Sequence, residues 1–143
     1  MTAKVKHILS LWLPLLAYMG VMSILSFIPD LARQTAISDK LMHLGEFTVL
    51  AFLFIRAFGG GLLTPISLSV YFSSAACSFV YGVLNEAHQA IIPYRHFELL
   101  DLASNAGGIL IGSALVFLLQ RFFGWSIAPQ APTSHHSGLQ ENR

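Results

Sequence analysis

Charged side chains are scarce in this sequence: Asp, Glu, Lys and Arg make up only 10% of its 143 residues. Soluble domains carry about 25%, so water cannot be the solvent for most of this chain. Neither sign dominates. Eight Lys and Arg face seven Asp and Glu, for a formal charge of +1, and that balance excludes a basic nucleic-acid binder. A single cysteine, Cys77, sits in an apolar stretch, which excludes a disulfide framework and any paired-cysteine metal motif. No apolar run alternates with period two, so a strand barrel is excluded as well.

What remains is apolar. Hydrophobic residues make up 55% of the chain and collect in four runs that the sequence predicts as transmembrane helices, each near the span of about 20 residues needed. They cover residues 8–28, 41–58, 62–84 and 99–123. The expected architecture is an all-α membrane protein, four helices in an antiparallel bundle, over residues 1–125. Residues 126–143 are polar, hold Pro129 and Pro132, and read as a disordered tail. Their His135-His136 pair reads as solvated. The first run follows Lys4 and Lys6, but 21 apolar residues exceed the core of a signal peptide and no small-residue cleavage site follows. It is read as a retained helix that tolerates Pro14.

Gly59-Gly60-Gly61 predicts a tight turn between the second and third spans, while residues 29–40 and 85–98 form two longer loops on the opposite side. The side with both termini holds Lys4, Lys6, Arg56, Arg121 and Arg143; the loop side holds Arg33, Lys40 and Arg95. Five cations against three place both termini in the cytoplasm of a multi-pass cell-membrane protein. Trp12, Tyr94 and Trp125 suit interfacial anchoring.

Polar residues gather at the mouths of three spans. Asp39, His43 and Glu46 stand at i, i+4 and i+7, one helix face. Glu86 and Gln89 end the third span, and Asp101, Asn105, Gly108 and Gly112 run in 4-3-4 steps down the fourth. Glu46 lies roughly 7–8 Å along the axis from Leu41, where an unpaired carboxylate is costly. Ionisable groups inside a bilayer mark functional sites by default. Each also has a structural reading. Lys40 and Arg95 suit headgroup anchoring, Asp39 and Asp101 suit helix N-termini, and Asn105 and Gln89 suit interhelical hydrogen bonding. The small-residue rows Ser74-Ser78-Gly82 and Ser104-Gly108-Gly112 are packing surfaces.

These residues carry a resemblance. Asp39-Lys40-Leu41-Met42-His43 matches D-K-x-x-H, and Glu86-Ala87-His88-Gln89 matches E-x-x-Q. Pro93-Tyr94-Arg95 matches P-x-R, and Asp101, Asn105 and Gly108 match D-x-x-x-N-x-x-G. Over residues 39–112 the chain thus resembles the VanZ-like membrane proteins, a family named for a teicoplanin-resistance accessory protein. Tyr94 departs from the small residue common there, and Glu46 and His88 fall outside the pattern. The resemblance implies a four-helix membrane fold and an association with the cell envelope and glycopeptide resistance. It implies no particular reaction.

The residues leave three functions open. In the first, the cluster binds or processes an envelope substrate such as an anionic lipid, a cell-wall precursor or a glycopeptide-like ligand. His43, Glu86 and Asp101 are then the candidate catalytic groups, with His43 as acid or base. Lys40, Arg95, Asp39, Glu46, Gln89 and Asn105 are the candidate binding groups, the two cations holding a phosphate or carboxylate. The second function is non-enzymatic binding or scaffolding. The third is an oligomeric transporter component, since four helices without inverted repeats make a poor transporter alone. His43, Glu46 and Glu86 make a thin metal set, so no metal and no cofactor are expected.

Overall fold

A computed structural model describes residues 1–26, 38–92 and 96–123. They form four long helices and, among the described residues, no strand: α1 (Ala3–Ser26), α2 (Asp39–Phe58), α3 (Leu68–Gln89) and α4 (Leu99–Phe123). All four are long and apolar enough to cross a membrane. The polar tail from residue 126, with Trp125, Arg33, Tyr94 and Arg95, lies outside the described residues.

The helix starts follow local chemistry. Ser38 caps α2, its hydroxyl accepting from the Leu41 N–H at 3.4 Å. Asp39 is therefore not the cap, and its carboxylate is free to turn toward His43. After Phe58 the chain reverses through Gly60 and Gly61 at φ +70° and +129°, conformations that side chains rarely adopt.

The third span differs from expectation at both ends. It begins at Leu68 rather than residue 62, because Pro65 has no N–H and disfavours helical backbone at Thr64. The nine-residue connection 59–67 is tied down by Gln120 of α4. The Gln120 amide accepts from the Ile66 N–H at 3.2 Å and donates to the Leu62 and Thr64 carbonyls. At its other end α3 continues to Gln89, because Asn85, Glu86 and Gln89 are buried inside the bundle rather than set in a polar loop.

Sequential helices run antiparallel, so α1 lies parallel to α3 and α2 parallel to α4. The α2–α4 pair makes the most extensive contact. Its register climbs together: Lys40 meets Asp101, His43 meets Asn105, Leu44 meets Gly108 and Thr48 meets Gly112. Two glycines permit that approach. A Cβ on Gly108 would stand 2.4 Å from the Leu44 carbonyl oxygen, and one on Gly112 would stand 2.4 Å from the Thr48 carbonyl. Helices in lipid gain little from hydrophobicity itself and associate through such close packing and hydrogen bonds. Below this contact Phe47, Leu50, Ala51 and Phe54 of α2 form the apolar core with Leu15, Met22 and Ile109. Side chains such as Leu13, Ile24, Phe72, Leu110 and Phe122 point outward, as a lipid-facing surface requires.

Candidate functional site

The polar centre lies at the end of the bundle formed by the start of α2, the end of α3 and the start of α4. His43 is buried at its middle. The ring Nδ1 stands 3.0 Å from Asn105 Oδ1; an amide oxygen only accepts, so Nδ1 carries the proton and donates. That bond fixes the tautomer and leaves Nε2 facing inward. Around Nε2 stand three carboxylates, one from each helix: Glu86 Oε1 at 3.8 Å, Asp39 Oδ1 at 4.0 Å and Asp101 Oδ2 at 4.0 Å.

Glu86 differs from the two aspartates. It is 0% exposed, and neither carboxylate oxygen has a hydrogen-bond partner among the described residues. Such a group is stable only with a proton or a neighbouring cation, because desolvating a carboxylate costs several kcal/mol. Asp101 is buried but paired, with Lys40 Nζ 2.7 Å from Oδ1. Lys40 also reaches Glu98 and lies 3.9 Å from Asp39 Oδ2. It thus sits on the outer oxygens of both aspartates, while their other oxygens face His43. Glu98, exposed just ahead of α4, is held below the usual carboxylate range by its hydrogen bond to Lys40.

The structure brings together six of the nine residues singled out from sequence: Asp39, Lys40, His43, Glu86, Asp101 and Asn105. Arg95 lies outside the described residues. Glu46 goes elsewhere. Three residues beyond His43 turn a helix by about 300°, which swings Glu46 toward α1. There the Tyr18 hydroxyl donates to the Glu46 carbonyl at 3.1 Å. Gln89 also faces α1. Its amide lies 3.5 Å from Ser26 Oγ, and the Ser26 hydroxyl donates to Asn85 Oδ1 at 2.8 Å.

Sequence reasoning missed Glu98, Asn85 and Gln120. Glu98 stands three residues before Asp101, the spacing that could have paired it with the same cation. Asn85 and Gln120 offered no spacing signal, since their partners come from distant helices and loops. Gly82 belongs to a packing row, and it also shapes the site: a Cβ there would stand 2.9 Å from the Phe47 ring and 3.2 Å from Asn105 Nδ2.

Chemically, the centre sets three carboxylates around one imidazole nitrogen, with one ammonium at the rim. It can exchange protons, bind a cation, or seat a polar head that enters from the mouth. The VanZ/LLP1 family model matches residues 6–120, a range that contains every residue of this centre. Comparisons with curated proteins and with solved structures give no match. Four apolar helices and this match identify a multi-pass membrane protein, and the chain belongs to the VanZ/LLP1 family.

Proposed function

We propose that this protein binds the polar head of a cell-envelope amphiphile, such as an anionic lipid or a cell-wall precursor, at the junction of α2, α3 and α4. His43 transfers a proton there. One observation carries the reading: Asn105 fixes Nδ1 while Nε2 is left facing Glu86, Asp39 and Asp101. An imidazole with one nitrogen anchored and the other facing carboxylates is arranged to give and take a proton. Lys40, 38% exposed at the rim, is the cation that meets an anionic head. We place both termini in the cytoplasm and this mouth on the outer side, in keeping with the count of Lys and Arg near the span ends. The link to glycopeptide resistance follows the family and would act through occupancy or turnover of such a head.

A non-enzymatic reading has its own support. Lys40 is already held by Asp101 and Glu98, so the rim cation is engaged before any ligand arrives. The two readings separate in reconstituted vesicles made from total envelope lipid, with lipids and precursors followed by mass spectrometry. His43→Ala and Glu86→Gln should each slow conversion at least about 100-fold, the usual weight of acid–base catalysis. Undiminished conversion by His43→Ala contradicts proton transfer at His43. No conversion by the wild-type chain, with graded loss of headgroup binding in the variants, favours the binder.

A further inference from the structure

We propose that the centre is a binding site for one divalent transition cation, Mn²⁺ or Zn²⁺, held by Asp39, His43, Glu86 and Asp101. The inference concerns the same residues as the proposed function but does not rest on it, since the ion can be titrated with no substrate present. An ion there would take Nε2 as a ligand, so proton transfer by His43 belongs to the ion-free protein.

The first support is distance. Four ligands about 2.1 Å from a tetrahedral ion stand about 3.4 Å apart. The three carboxylate oxygens lie 3.8–4.0 Å from Nε2, and the ligand atoms of Asp39, His43 and Asp101 all fall within 4.8 Å of one another. Small side-chain movements bring those three to coordination distance, and Glu86, outside that group but 3.8 Å from Nε2, swings in as the fourth ligand. The second support is Glu86, fully buried and directed at Nε2 with both oxygens unbonded among the described residues. Among the described residues it is the ligand whose oxygens are left without a hydrogen bond.

The third support lies in the groups behind the ligands. Metal-bound histidine nearly always donates its remote N–H to a carbonyl or carboxylate, and His43 Nδ1 donates to Asn105. Lys40 takes Asp101 Oδ1 and approaches Asp39 Oδ2, leaving the inner oxygen of each toward the ion. Its charge offsets part of the excess from three carboxylates. One imidazole among three carboxylates suits Mn²⁺ or Zn²⁺ better than the purely oxygen-liking Mg²⁺.

The test uses the full chain in lipid nanodiscs, with His135→Ala and His136→Ala removing the tail's own histidine pair. Mn²⁺ and Zn²⁺ are each titrated by calorimetry, and bound metal is counted by elemental analysis. One equivalent of at least one ion per chain is expected. Asp39→Asn, at the most exposed of the four ligands and so the substitution least disruptive to folding, should weaken binding at least about tenfold. His43→Ala and Glu86→Gln should weaken it further, whereas Glu46→Gln should leave it unchanged. Absence of saturable uptake by a chain of normal helicity overturns the inference. So does uptake that Asp39→Asn and His43→Ala leave unaltered. Because no envelope lipid conversion is measured, failure here leaves the proton-transfer reading standing, and success does not establish it.

Discussion

Glu86 sets the chemistry of the whole centre. A buried carboxylate without a hydrogen bond among the described residues must share a proton or a positive charge with a neighbour, and His43, whose Nε2 lies 3.8 Å away, supplies either when its ring is an imidazolium. Asp101, equally buried, differs only because Lys40 reaches it. Two carboxylates at similar depth therefore have different roles, set by which one the ammonium touches. Much of this was legible in the sequence, since D-K-x-x-H, E-x-x-Q and D-x-x-x-N named His43, Glu86, Asp101 and Asn105. What residue spacing could not show was the division of labour on Lys40, because Glu98 lies outside the helix and pairs with Lys40 across 58 positions of sequence. The exposed Glu98–Lys40 pair carries a defined pH dependence. Its lowered carboxyl stabilises the fold above the ordinary carboxylate range and loses that contribution as pH falls from that range through the lowered value. Thermal scans in detergent should show an acid-side loss of stability that is smaller in Glu98→Gln than in the parent.

At the level of helices, the α2–α4 contact decides whether the site exists. Both elements were plain from their apolar runs, but the sequence read them as members of an antiparallel bundle. It did not show that the closest pair is the parallel one, two spans apart in sequence. The small-residue row of α4 carried half of that information: Gly108 and Gly112 marked a close approach without naming the partner backbone. The third helix starts six residues after its apolar run does, and the hydrogen bonds from Gln120 that support the longer connection are non-local and leave no trace in residue spacing. The close approach is testable. Gly112→Ala forces a methyl against the Thr48 carbonyl and should cost about 1–3 kcal/mol. Gly107→Ala meets only Leu44 Cδ1 at 3.6 Å and should be neutral or stabilising by up to about 1 kcal/mol. Unfolding by denaturing detergent, followed by helicity, compares the two, and equal behaviour would contradict the packing.

For the whole molecule, the four helices sort polar from apolar in a way that a soluble bundle does not. Leucine and phenylalanine side chains face outward, while two acids, an imidazole and three amides are buried at one end. Which face of the membrane that end meets is a question of topology. Thiol labelling at Thr35→Cys and Ser137→Cys in intact cells should mark position 35 and not 137; the reverse pattern would invert the orientation. The central claim is that acids from three different helices converge on one nitrogen of His43. The most direct measurement is ¹⁵N NMR of ring-labelled histidine in the full chain in nanodiscs, with the His43 signal assigned by its loss in His43→Gln. Asp39→Asn, Glu86→Gln and Asp101→Asn should each shift Nε2, and Glu46→Gln should not. An Nε2 signal unmoved by Glu86→Gln or by Asp101→Asn would contradict the convergence.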